Sequence, residues 1–133
     1  MKYMLDTNTC IYIIKKKPPS VIVRVRKIGI SQIGISSITL SELLYGVSKS
    51  SKPVQNQMAL SQFAAPLEIL YYGDEAAQYY GTLRAHLEKQ GSPIGSLDML
   101  IAAHCLSINS FLVTNNEREF NRVPKLTIEN WVR

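Results

Sequence analysis

Three acidic residues stand where acids are seldom found. Asp6 follows the apolar Tyr3-Met4-Leu5 and precedes Thr7-Asn8, Glu42 lies inside Ile38-Thr39-Leu40-Ser41-Glu42-Leu43-Leu44, and Asp98 lies inside Leu97-Asp98-Met99-Leu100-Ile101-Ala102-Ala103. Carboxylates resist such surroundings unless a partner offsets the loss of water. If folding gathers them, their mutual repulsion calls for a cation. Oxygen donors select a hard one, Mg²⁺ or Mn²⁺, and the chemistry such a set supports is metal-assisted hydrolysis.

Taken singly, each acid has an ordinary explanation: Asp6 as a helix N-cap, Glu42 and Asp98 as first-turn acids favoured by the helix dipole. The joint case differs. All three follow an apolar segment or enter a helix start, positions that face the carboxyl edge of a parallel sheet, where such sheets build their sites. A fourth cluster, Asn115-Asn116-Glu117-Arg118-Glu119-Phe120, follows a strand ending at Thr114. Thr114 and Asn116 supply neutral oxygens there. Glu119, beside the expected core anchor Phe120, can reach back as a carboxylate, whereas Glu117 reads as a solvated turn.

Other catalytic sets are excluded by context. His86 lies mid-helix among Arg84, Glu88 and Lys89, and His104 sits on an apolar helix as a core histidine, so neither forms a triad. Gly91-Ser92-Pro93-Ile94-Gly95 lacks the lysine and spacing of a phosphate-binding loop. Cys10 and Cys105 lie in apolar segments without CxxC spacing and read as reduced, core-filling thiols.

The elements that must position the acids follow from periodicity and punctuation. Residues 2–5 read as a short strand, and Thr7 or Asn8 can cap a helix through Cys10-Ile11-Tyr12-Ile13-Ile14 that Pro18-Pro19 ends. A helix from Ser20 to about Ile28, a strand at 33–36, and a helix through Leu40, Leu43, Leu44 and Val47 capped by Ser37 or Thr39 come next. Val54–Ala65 reads as a helix and 67–70 as a strand. Asp74 can cap the longest helix, ended by Gly91, with Ala76, Tyr80, Leu83 and Leu87 as its apolar stripe. Ser96 to about Ile108 is apolar nearly all round, as for a helix wedged against a sheet. Strands at 111–114 and 126–128 complete an alternation that predicts an α/β domain with a mainly parallel sheet.

The 133 residues, 46% of them hydrophobic, fit one globular domain spanning 1–133. Asp6 interrupts the only apolar stretch near the N-terminus, and the run from Leu97 to Leu106 is too short to span a bilayer, so the expected compartment is the cytoplasm. Net charge is +5, and between Asp6 and Glu42 there is no acid but there are Lys15, Lys16, Lys17, Arg24, Arg26 and Lys27. This stretch can hold phosphates beside an acidic pocket, or serve as a solvated face. Tyr71, Tyr72, Tyr79 and Tyr80 can stack on unpaired bases or pack the long helix.

Met4-Leu5-Asp6-Thr7-Asn8, Ser36-Ser37-Ile38-Thr39-Leu40-Ser41-Glu42-Leu43, Pro93-Ile94-Gly95-Ser96-Leu97-Asp98-Met99-Leu100-Ile101-Ala102 and Val113-Thr114-Asn115-Asn116 to Glu119-Phe120 together resemble the PIN-domain family. Within it the chain is similar to VapC-type toxins of bacterial toxin–antitoxin pairs. The resemblance runs in order from Met4 to Trp131. It implies a three-layer α/β/α sandwich and an endoribonuclease using Mg²⁺ or Mn²⁺. Asp6, Glu42 and Asp98 match the family's metal-binding acids, and Thr7 and Thr114 its supporting hydroxyls. Many PIN domains carry Asp at the position of Asn116, so the fourth acid is either missing or replaced by Glu119. The resemblance further implies a homodimer, a VapB-type antitoxin partner and a tRNA substrate, initiator tRNA cut in its anticodon stem-loop.

Two rivals come from other classes. A phosphoreceiver domain wants adjacent acids after its first strand, whereas Asp6 stands alone. A non-catalytic RNA-binding or interaction subunit can retain the fold, and metal-dependent turnover separates it from an enzyme.

Overall fold

The computed structural model describes residues 2–133. The chain alternates strand and helix: β1 (Tyr3–Leu5), α1 (Thr7–Lys15), α2 (Pro19–Ile28), a 3₁₀ turn (Ile30–Gln32), β2 (Ile33–Ser36), α3 (Ser37–Lys49), α4 (Pro53–Ala64), β3 (Glu68–Leu70), α5 (Asp74–Lys89), α6 (Ser96–Ser107), β4 (Phe111–Val113), α7 (Glu117–Phe120) and β5 (Ile128–Glu129). The sheet has the order β3-β2-β1-β4-β5, and every pairing is parallel. The expected three-layer α/β/α sandwich is therefore present.

Period-two alternation sorts the strand residues onto two cores. Met4 and its register partner Leu112 join Leu83, Leu87, Met99, Ile101 and Phe120, the side covered by α5 and α6. Leu5, Ile35 and Val113 join Cys10, Val21, Leu43, Leu60 and Trp131 on the other face. Fully burying a side chain such as Leu5 or Ile35 contributes roughly 2 kcal/mol. In β2, Gly34 admits the neighbouring strand: a Cβ there would stand 3.0 Å from the Glu68 carbonyl oxygen and from the Leu70 side chain.

The chain moves outward from β1 through β2 to β3, then crosses to β4 and β5. Strand order thus reverses between β1 and β4, and the crevice beyond their carboxyl ends is where such sheets bind ligands. The Asp6 N–H donates to the Val113 carbonyl at 3.0 Å, prolonging the pairing by one step and placing Asp6 at that crevice.

Helix starts differ from expectation by a consistent rule. Of the candidates for α1, Asp6 rather than Thr7 or Asn8 is the N-cap, while Ser36 and Gly73 cap α3 and α5 in place of Ser37 or Thr39 and of Asp74. After β1 and β2 the helix begins immediately, so the residue that leaves the strand in extended conformation is the one that caps it. Asp74 is the first helical residue, where its charge still favours the helix dipole. The short α7 was not expected, because one turn is too brief to show periodicity. Cys10 and Cys105 are buried free thiols, as anticipated, and among the described residues no helix is long and apolar enough to cross a membrane.

Candidate active site

Asp6 is 5% exposed and both its oxygens are engaged. Oδ1 accepts the Thr9 N–H at 2.9 Å, which caps α1, and Oδ2 accepts the Thr114 hydroxyl at 2.6 Å. Burial pushes this carboxyl above its ordinary value, and the Thr114 and Thr9 hydrogen bonds oppose that rise. The Thr114 hydroxyl in turn accepts the Asn116 N–H at 2.9 Å, so the loop after β4 is held to the end of β1.

Glu42 projects from α3, where its Oε1 accepts the Thr7 hydroxyl at 2.6 Å. Asp98 stands in the first turn of α6. Its carboxyl is pushed up to about 6, first by burial, then by the charge and hydrogen bond of Glu119, and then by the charges of Asp6 and Glu42. Glu119 Oε2 also accepts the Asn116 side-chain N–H at 2.6 Å. The fold therefore brings Asp6, Glu42, Asp98 and Glu119 into one electrostatic neighbourhood, with Thr7, Thr114 and Asn116 as the hydroxyl and amide groups that hold them.

Among the described residues, no three His, Cys, Asp or Glu side chains are gathered into a ready ligand set for a metal. Donor chemistry nevertheless fits Mg²⁺ or Mn²⁺. The groups are all oxygen, they carry surplus negative charge, and Mg²⁺ is bound through one or two carboxylates while keeping several waters.

A cleft beside the acids is lined by Thr7, Ile11, Lys15, Glu42, Leu43 and Asn56, among others, so Lys15 reaches the site's rim. Lys16, Lys17, Arg26 and Lys27 are exposed. The Arg24 guanidinium pairs with Glu129 at 2.8 Å and lies over the Trp131 ring at 5.8 Å. It ties α2 to the C-terminal segment while remaining partly exposed. Glu117 is also more than a solvated turn, since it pairs with Arg133 and accepts the Asn130 amide at 2.9 Å. Of the tyrosines, Tyr71 is exposed, whereas Tyr72 packs edge-on against His104.

Sequence reasoning missed Thr9, whose backbone N–H holds Asp6, because a cap donor carries no side-chain signal. Thr39, expected as a possible cap of α3, lies inside that helix one turn before Glu42, its hydroxyl buried without a hydrogen-bond partner.

An all-parallel α/β sandwich with four carboxyl groups at the switch point of its sheet defines a protein built around an acidic, oxygen-donor site. The chain belongs to the PIN-domain family, whose model, described as PIN domain, matches residues 3–126. It is 49% identical over 132 residues to Ribonuclease VapC2 of Rickettsia felis, covering 98% of each chain. It is 46% identical over 131 residues to a tRNA(fMet)-specific endonuclease VapC of Salmonella typhimurium, again covering 98% of each. Among solved structures it resembles the VapBC2 complex of Rickettsia felis bound to a promoter DNA fragment, with TM-score 0.93, 48% identity, and coverage of 98% of this chain and 99% of that one.

Proposed function

We propose that this protein is the toxin of a VapBC-type pair, a Mg²⁺- or Mn²⁺-dependent endoribonuclease that hydrolyses tRNA and thereby inhibits translation. The observation that carries the reading is the convergence of Asp98, Asp6, Glu42 and Glu119 from four separate segments of the chain on the carboxyl edge of the sheet, where burial and then the other three acids raise the Asp98 carboxyl. Such crowding of acids at a sheet edge marks a functional site more than a stabilising one.

Asp6 and Asp98, helped by Glu42, would hold the ion. When bound, it supplies a more acidic water and offsets charge on the departing oxygen. The chain's own residues do the rest. Thr9 and Thr114 fix both oxygens of Asp6, Thr7 fixes Glu42, Asn116 donates to Glu119, and Asp98, its carboxyl raised, must release its proton before it can act as an anionic ligand. Lys15 at the rim and the exposed Lys16, Lys17, Arg26 and Lys27 would take the RNA backbone. Water attack with a departing 3′ oxygen yields a 5′-phosphate.

The relatives support the substrate class: one carries tRNA(fMet) specificity in its name, and the similar solved complexes pair VapC with VapB. A VapB-type antitoxin, a homodimer and a cytoplasmic setting complete the reading. The deciding experiment incubates purified protein with total tRNA in Mn²⁺ and in EDTA and maps new 5′ ends. New 5′-phosphate ends in Mn²⁺ alone are expected. RNA bound but intact in both conditions would make the protein a non-catalytic RNA-binding subunit.

A further inference from the structure

His104 is 1% exposed, far from solvent on α6, yet it is polar and its surroundings are organised around it. Its Nδ1 is hydrogen-bonded to the Ser36 hydroxyl at 2.8 Å. Ser36 ends β2 and caps α3, its Oγ accepting the Ile38 N–H at 3.0 Å. The imidazole also meets the Tyr72 ring edge-on with centroids 5.6 Å apart, and the Tyr72 N–H donates to the Ser37 hydroxyl at 3.2 Å. These contacts close a circuit around the first turn of α3, joining β2, α6 and the segment after β3.

The two ends of the His104–Ser36 bond lie on elements that carry site acids. His104 lies further along the helix that bears Asp98, and Ser36 caps the helix that bears Glu42. An apolar side chain of similar volume would fill the space without the loss of hydration that pushes the imidazole's pKa down. What it would not do is hold the Ser36 hydroxyl in one orientation, and a satisfied buried hydrogen bond selects one geometry from several packings of similar energy.

We propose that His104 is a positioning residue of the acidic site: through Ser36 it sets where α3 begins relative to α6, and so the placement of Glu42 with respect to Asp98. The catalytic consequence rests on the nuclease reading above, whereas the placement itself does not.

Two variants separate geometry from mere packing. His104→Phe keeps the ring and its edge-on contact with Tyr72 but loses the hydrogen bond, and His104→Asn restores a polar atom near the Nδ1 position. Each is compared with the parent by hydrogen exchange at the Ile38 amide and by steady-state tRNA cleavage in Mn²⁺. The Phe variant is expected to exchange about tenfold faster at this amide and to lose about tenfold in kcat with KM unchanged, the size of one hydrogen bond. The Asn variant is expected to recover most of both.

Parental exchange and kcat in His104→Phe would overturn the proposal, as would an Asn variant as defective as Phe. So would faster exchange with parental kcat in an active series. Should the Phe variant not fold, Ser36→Ala removes the other partner. It must then lose about tenfold in kcat with KM unchanged, and a parental kcat would sink the idea. If the parent itself cleaves no tRNA, the nuclease reading fails by itself and the amide exchange still decides the placement.

Discussion

The Thr114 hydroxyl donates to Asp6 Oδ2 at 2.6 Å although 108 positions of sequence separate them. The bond spans the point where strand order reverses and holds a buried carboxylate in one rotamer, its other oxygen already committed to the cap of α1. If Asp6 holds the proposed ion, the hydroxyl that orients it from behind tunes how well it does so.

Thr114→Val removes this donor with little change of shape. Because the acceptor is buried and charged, the loss is expected to cost about 2 kcal/mol of stability, seen as a lower urea midpoint. Cleavage should fall about tenfold at saturating Mn²⁺, and a variant with parental turnover would show that Asp6 needs no such support.

Asp6 serves two purposes, and two substitutions separate them. Asn is as good an N-cap as Asp, but its amide nitrogen cannot accept from the Thr114 hydroxyl, so Asp6→Asn should lower the midpoint no further than Thr114→Val does and yet nearly abolish cleavage. Asp6→Ala should lose activity and, in addition, about 1 kcal/mol from the lost cap. Equal RNA cleavage by Asp6→Asn and parent under matched Mn²⁺ would defeat the assignment.

Asp98 makes metal-free stability depend on pH in an unusual direction. Its folded value of about 6 lies above the ordinary 3.8, so the folded protein binds the proton more tightly than the unfolded chain. The stabilisation is full below 3.8 and is lost as pH rises through about 6. In EDTA, the stability difference between parent and Asp98→Asn should therefore shift against the parent as pH rises across this window. Buried His104, held below its ordinary value, acts the opposite way in both proteins and cancels in the difference. A difference that stays flat with pH would remove Asp98 from the acid cluster.

Asn116→Asp puts a carboxylate where an amide now donates to Glu119 at 2.6 Å. The donor is lost and a like charge replaces it, so in EDTA the variant should be less stable by about 1 kcal/mol at neutral pH. Added Mn²⁺ should raise its melting temperature more than it raises the parent's, since ion binding to the folded state stabilises by mass action. Equal shifts would mean that this position lies outside the ion's reach.

Lys15, Lys16 and Lys17 are exposed, so replacing all three with Ala should leave stability nearly unchanged. If they meet single-stranded phosphates, the slope of log affinity for tRNA against log salt should become shallower by about 2. An unchanged slope assigns them to a solvated face.

Much of this architecture could be read along the chain. Short apolar runs alternating with amphipathic segments indicate a parallel α/β sandwich, and Asp6, Glu42 and Asp98 betray themselves because charge inside an apolar run needs a structural or chemical reason. Boundaries were harder at helix starts, where several polar residues in a row can each serve as the cap. Strand exit angles choose among them, and those depend on the neighbouring strand.

Pairings between distant side chains lay beyond that reach. Periodicity tells which face of an element is buried but not which residue waits opposite, since that follows from how the crossovers lay α3, α6 and the loop after β4 against β1. Hence the crowding of Asp98 by Glu119, the grip of Thr7 on Glu42, the capture of Arg24 by Glu129 and the seating of His104 on Ser36 all emerge only once the layers are packed. Residue types along the chain limit what chemistry is available, and their convergence in space selects which groups can perform it.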